Sequence, residues 1–141
     1  MSPQPNPAPP LPGFVPTHLV DPFEIYVGPV FEHGAPGAKT YAMRLDARHM
    51  NRRGILHGGM FMTFADLTLG QAVWDLTNKA PVVTLNMQTH FLKPAVEGNI
   101  LLVTPELVRR TRALVFMRGD FKVEDETIFT VQSVWKLLGQ S

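Results

Sequence analysis

Cysteine is missing from all 141 residues of this chain, which excludes disulfides, thiol nucleophiles and thiolate zinc sites. An excess of charge is missing too. Lys and Arg number 13 against 12 for Asp and Glu, so no strong global field draws the chain to nucleic acid. No hydrophobic run approaches the length of a membrane span, and the opening Met-Ser-Pro-Gln-Pro-Asn-Pro has no basic or apolar targeting region. A soluble cytoplasmic protein with no membrane or nucleic-acid partner is the expectation. There is no Gly-x-Ser-x-Gly elbow and no phosphate loop. The five histidines show no ligand spacing, His49 and His57 being eight apart in a loop, so no metal and no cofactor are expected.

What is present fits one domain with a substantial core. Hydrophobic residues make up 45% and charged residues 18%, an apolar balance that points to an oligomer. Residues 1–16 hold seven of the 13 prolines, and such a stretch has few amide donors and little to bury. Residues 1–20 are therefore read as an extended or mobile arm and residues 21–141 as the domain. Within the domain, 23–31 and 38–46 read as strands and 47–57 as a connecting loop. From Gly58 or Gly59 to about Asp75 the chain reads as a helix that is apolar nearly all round, which something must wrap. Residues 82–91 alternate, with Val83, Leu85, Met87, Thr89 and Phe91 on one face and Thr84, Asn86, Gln88 and His90 on the other. Residues 98–109, 113–123 and 127–137 supply three more strands with short turns, and Pro105 marks a bulge or an edge. The expected architecture is α+β: one long central helix in a curled antiparallel sheet of five to six strands.

The chemistry concentrates at Asn51-Arg-Arg-Gly-Ile-Leu-His57-Gly58-Gly59 and at the one carboxylate of the helix, Asp66. A paired glycine opening a helix leaves backbone N–H groups bare. They carry the positive end of the helix dipole and suit a carbonyl oxygen gaining negative charge. A carboxylate in an apolar helix is costly to ionise unless something holds it. The bland alternative for Asp66 is a buried residue bonded to a hydroxyl such as Thr63, and for the glycines simply a tight helix start.

Asn51, Gly54 and His57-Gly58-Gly59, with an Asp nine residues after the His, resemble the phenylacetate-pathway-type hotdog thioesterases. The stretch Thr84-Leu-Asn-Met-Gln-Thr-His-Phe-Leu-Lys-Pro-Ala-Val-Glu-Gly98 is similar to the long strand and turn after the helix in that family. The resemblance spans about residues 38 to 137 and implies a hotdog fold and hydrolysis of acyl-coenzyme A thioesters. It implies that Asp66 serves as base or nucleophile and that the Gly58 amide, with Gly59, polarises the thioester. It also puts Asn51 and His57 beside the glycine end and matches Thr84 to a hydroxyl residue near the carboxylate.

Geometry adds a constraint. Asp66 lies eight residues beyond Gly58, roughly 12 Å along a helix. A base and an oxyanion donor must both sit about 3 Å from one reacting group. One helix cannot supply both, whereas two antiparallel copies can. A homodimer is the minimum unit expected, with a homotetramer as a dimer of dimers. Lys93, Arg110 and Arg112, with Arg109, are candidates for the coenzyme A phosphates, a solvated turn being the other account. The expected substrate is a small aromatic or medium-chain acyl-coenzyme A. Two alternatives stay open: a non-catalytic acyl-coenzyme A binding or sensor module on the same fold, and a hotdog 3-hydroxyacyl thioester dehydratase.

Overall fold

The acidic turn between the last two strands shows how local chemistry builds this sheet. Glu124 and Asp125 both take left-handed backbone, with φ of 49° and 66°, giving the primed turn whose twist matches a hairpin. The flanking strands then pair from Val123–Glu126 back to Leu114–Lys136. The computed structural model describes residues 8–18 and 21–139, so the first seven residues of the arm lie outside it.

The elements run β1 (Val15–Pro16), α1 (Pro22–Val27), β2 (Phe31–His33), β3 (Thr40–Arg44), a 3-10 turn (Ala47–His49), α2 (Gly58–Leu76), β4 (Val82–Phe91), β5 (Ile100–Val103), β6 (Glu106–Arg110), β7 (Leu114–Val123) and β8 (Glu126–Leu137). All pair antiparallel in one open sheet ordered β1-β2-β3-β5-β7-β8-β4, with β6 continuing beside β7. The long helix α2 lies across this sheet, a hotdog arrangement with eight strands rather than five to six. The difference has two sources. The expected 98–109 strand breaks at Thr104-Pro105 into β5 and β6, since proline has no N–H for the ladder. The short β1 adds at the far edge, beside β2.

The expected strand over 23–31 is corrected. Residues 22–27 are helical, because Asp21 Oδ1 accepts from the Glu24 N–H at 2.7 Å and Pro22 takes the first helical position. Only Phe31 of that stretch lies in a strand, as the first residue of β2. The described part of the arm, residues 8–18, lies on the domain: Phe14 is buried with Phe31 and Ala42, and β1 pairs with β2.

The core forms where α2 meets β7 and β8. Phe61 stacks on Phe129 at 4.6 Å, and Phe64 and Phe129 each meet Phe121 edge-on. Each such ring contributes about 1.5–3 kcal/mol by leaving water. Helix and sheet approach closely at Gly119, where an added Cβ would fall 3.0 Å from Val103 and 3.3 Å from Leu69. The sheet covers one side of α2 only. Met60, Phe61, Phe64, Ala65, Leu69 and Val73 are buried, whereas Met62, Leu67 and Trp74 are half-buried on the opposite side. A helix apolar all round is thus wrapped on one face within a single chain. Beside its open face runs β4, which among the described residues pairs only with β8 and leaves Val83, Leu85 and Phe91 exposed. Among the described residues no helix is long and apolar enough to cross a membrane.

Candidate active site

The loop ahead of α2 is held before the helix begins. Asp46 caps the 3-10 turn, its carboxylate accepting from the Arg48 backbone and guanidinium. Burial pushes the Asp46 carboxyl up, but the Arg48 hydrogen bonds and the charges of His49 and Arg48 outweigh it and hold the group below its ordinary value. Arg48 also donates to the carbonyls of Tyr26 and Gly28, and buried His49 donates from Nε2 to the Val27 carbonyl at 2.7 Å. The end of α1 is thereby tied to the loop, an anchoring that gives the last carbonyls of α1 their partners.

Asn51 then closes the turn that follows. Its Oδ1 accepts from the Arg53 and Ile55 N–H groups, and its own N–H donates to Ile55 O at 2.8 Å. Gly54 takes φ of 80° inside that turn. Asn51 thus orders the loop with its carbonyl oxygen, two positions beyond the anchoring His49.

His57 is the N-cap of α2. Its Nδ1 accepts from Gly59 N–H at 2.9 Å, and its carbonyl accepts from Met60 and Phe61. The Gly59 donor is consequently occupied. Gly58, the first residue of the helix, has no hydrogen-bond partner for its N–H among the described residues. It is the bare amide at the positive end of a 19-residue helix. The edge of the Phe91 ring lies beside Gly58, 3.5 Å from where a Cβ would stand.

Asp66 lies on the open side of α2. It is exposed within one chain, so its environment there is not the buried one expected. Its partner is Thr84, whose Oγ1 donates to Asp66 Oδ1 at 2.6 Å. Thr63 bonds back to Gly59 O at 2.9 Å and does not reach it. Strict alternation along residues 82–91 would put Thr84 on the same face as Asn86 and Gln88. A β-bulge between Thr84 and Asn86 changes the phase, so Thr84 pairs across from inward-facing Trp135 while Met87, Thr89 and Phe91 pair across from inward-facing Ser133, Val131 and Phe129. The bulge aims the hydroxyl at the helix.

The cations do not gather. Lys93 binds Glu126 at 2.7 Å close to the start of α2, while Arg110 donates to the Leu76 carbonyl at its other end. Arg112 and Arg109 are exposed on and after β6. His90 sits on the outer face of β4 against Thr130. Among the described residues no three His, Asp or Glu side chains are grouped to hold a metal ion.

Asp66 and Thr84 open onto a groove of about 740 Å³ between α2, α1 and the start of β4, walled by Trp74 and Trp135 and reaching Glu24 and Gln71. Reading the sequence missed Glu24, because residues 23–31 read there as a strand. It is 4% exposed, and Thr17 donates to its Oε2 at 3.0 Å. Burial pushes the Glu24 carboxyl up to about 7, with Asp21 and Glu32 adding to the rise against the Thr17 hydrogen bond. The unfolded chain releases this proton near 4.5, while the folded chain keeps it to about 7. Stability from this group is therefore full below the lower value and falls as pH rises through that window. Glu24→Gln is expected to flatten the drop in melting temperature between about pH 5 and about pH 8, followed by circular dichroism. An unchanged drop would contradict it.

A helix laid across one open antiparallel sheet, with a bare glycine amide at its start and a hydroxyl-bonded carboxylate on its open face, defines a hotdog protein with a candidate acyl-transfer site. The family model for the thioesterase superfamily matches residues 53–130, more than half of the chain, and the chain belongs to that family. It is 29% identical over 86 residues to acyl-coenzyme A thioesterase 13 of Homo sapiens, a match covering 61% of each protein. The chain thus spans about 61% of the length of the curated relatives it matches first. Its fold is similar to a variant of the phenylacetic acid degradation protein PaaI from Thermus thermophilus, with a TM-score of 0.75, 24% identity and coverage of 84% and 100%. It is similar also to a thioesterase protein of Streptococcus pneumoniae determined with coenzyme A, with a TM-score of 0.73, 20% identity and coverage of 79% and 90%.

Proposed function

We propose that this protein hydrolyses the thioester of a small aromatic or medium-chain acyl-coenzyme A, at sites shared between two copies of the chain. The observation that carries the reading is the 2.6 Å bond from Thr84 to Asp66 on the open side of a helix whose first amide, Gly58, is bare. The coenzyme A bound to the Streptococcus relative and the thioesterase 13 relatives support the substrate class.

The free β4 edge and the open face of α2 support the dimer. A second antiparallel copy adding its own β4 would extend the ladder, cover Val83 and Leu85, and bring each Asp66 toward the other copy's Gly58. The roughly 12 Å that separates the two groups along one helix is bridged in this way. The same antiparallel arrangement would place Arg110 of one copy toward the Lys93 end of the other, where the phosphates of coenzyme A would meet both. A dimer of dimers is the assembled form that the family resemblance supports.

In the reaction, Asp66 takes a proton from water as the water oxygen bonds to the thioester carbon. The Gly58 N–H meets the oxyanion that forms. Collapse breaks the carbon–sulfur bond, and the sulfur leaves as a thiolate, which needs little help because a thiol has a pKa of about 8.5. The proton held by Asp66 returns to it. Direct attack by Asp66 through a mixed anhydride uses the same groups.

Thiol release from a panel of acyl-coenzyme A esters, phenylacetyl to long-chain, tests the reading. Hydrolysis of the aromatic or medium-chain members is expected; absence of release from every ester, with saturable binding, would leave a binding module instead. In the same assay Thr84→Val keeps the side-chain shape and removes the donor. It is expected to lower kcat by about ten- to a hundredfold with little change in KM, the usual range for a hydrogen bond to a charged group. An unchanged kcat would remove Thr84 from the site.

A further inference from the structure

We infer that Glu24 and Gln71 form the specificity part of the groove and select acyl groups that carry an uncharged hydrogen-bonding group, such as a hydroxyl, at their far end. The inference rests on the thioesterase reading for what enters the groove, and on the following features for what it finds there.

Asp66 and Thr84 line one part of the groove; Glu24 from α1 and Gln71, further along α2, line it as well. The walls between are apolar and aromatic: Leu67, Gly70, Trp74, Val82 and Trp135. Gly70 makes room here, since a Cβ on it would fall 3.1 Å from the Trp135 ring. Along α2, Gln71 is five residues and Trp74 eight residues beyond Asp66, about 7.5 and 12 Å by helical rise. A medium-length acyl group starting at Asp66 is long enough to reach Gln71, and with it the part of the groove that Glu24 lines.

Both residues are largely removed from solvent, Glu24 at 4% and Gln71 at 7% exposed, yet both line the groove. Thr17 occupies Glu24 Oε2, leaving Oε1 without a partner among the described residues, and no side-chain hydrogen bond of Gln71 is formed among them either. Water in the open groove serves both groups, and an apolar chain end that displaces it leaves them without partners. A ligand hydroxyl or amide reaching this point satisfies both groups, and a plain methyl end satisfies neither. Burial keeps the carboxyl protonated up to about pH 7, so it can donate as well as accept. A carboxylate-ended acyl group would meet the Asp21 carboxylate beside Glu24 and is refused.

The test uses octanoyl-coenzyme A and its ω-hydroxy counterpart, together with the corresponding octyl and ω-hydroxyoctyl thioethers of coenzyme A, which cannot be hydrolysed. Both tryptophans of the chain, Trp74 and Trp135, line the groove, so their fluorescence reports binding without turnover. The wild type is expected to favour the hydroxylated member about tenfold or more, in thioether affinity and in kcat/KM. Glu24→Leu and Gln71→Leu each reduce that ratio towards one, while Glu24→Gln, which keeps hydrogen-bonding capacity, retains most of it. Equal affinity of the wild type for the two thioethers, binding of neither, or a preference that survives both leucine variants would overturn the inference. Selective thioether binding with no thiol release from any ester would instead sustain this part of the groove and remove the hydrolase reading.

Discussion

Asp66→Asn is expected to lower turnover by about two to four orders of magnitude while coenzyme A ester binding is largely kept. The change is nearly isosteric and leaves an acceptor for the Thr84 hydroxyl, which donates to Asp66 Oδ1. What it removes is the ability to take a proton from water or to attack the carbonyl. Asp66 is exposed in one chain and packs into no core, so the fold has little reason to change. Circular dichroism melts of the variant should match the wild type, and single-turnover hydrolysis should show the loss in the chemical step. Near-wild-type turnover would exclude Asp66 from the mechanism.

Gly58→Pro carries the second large effect, and the local backbone makes it a clean experiment. Gly58 is the first residue of α2, the one helical position where proline is welcome. His57 before it has φ of −62° and ψ of 133°, the extended backbone that a following proline requires. The missing N–H breaks no hydrogen bond among the described residues, because Gly58 makes none there. The substitution thus deletes the proposed oxyanion donor and little else. A fall in kcat of about a hundred- to a thousandfold, with the melting temperature kept, is expected. Full activity would assign the oxyanion to another donor.

The two variants together test the shared site. Neither is active alone, but a mixed dimer has one site built from an intact Gly58 of one copy and an intact Asp66 of the other. Random mixing should recover about a quarter of wild-type activity, since half the dimers are mixed and each has one good site of two. No recovery after refolding the mixture would mean that each chain builds its own site.

How much of this was legible in the sequence depends on the kind of signal. Helix α2 was plain, because a paired glycine followed by a long apolar run has few other solutions. The β7–β8 hairpin was plain from its alternation and acidic turn. Helix α1 was hidden because Phe23-Glu-Ile-Tyr-Val27 alternates as a strand would; the Asp21-Pro22 cap was the available sign. The β4 bulge has no local signature, so strict alternation put Thr84 on the wrong face, and only the family resemblance linked it to Asp66. Glu24 as a buried acid followed from α1 and was lost with it. The cations Lys93 and Arg110 read as one set because spacing along a chain does not reveal which end of a helix a turn will reach.

The unpaired edge of β4 has a consequence for the living cell. A ten-residue edge with Val83, Leu85 and Phe91 uncovered is also a template for any other extended chain. In the dimer proposed above, each newly made copy must find its twin before it finds something else. The working lifetime of the protein is then governed by its abundance. At low expression it faces chaperones and proteases as a half-finished surface, and a heterologous host that makes it quickly should yield more active protein per chain than one that makes it sparsely.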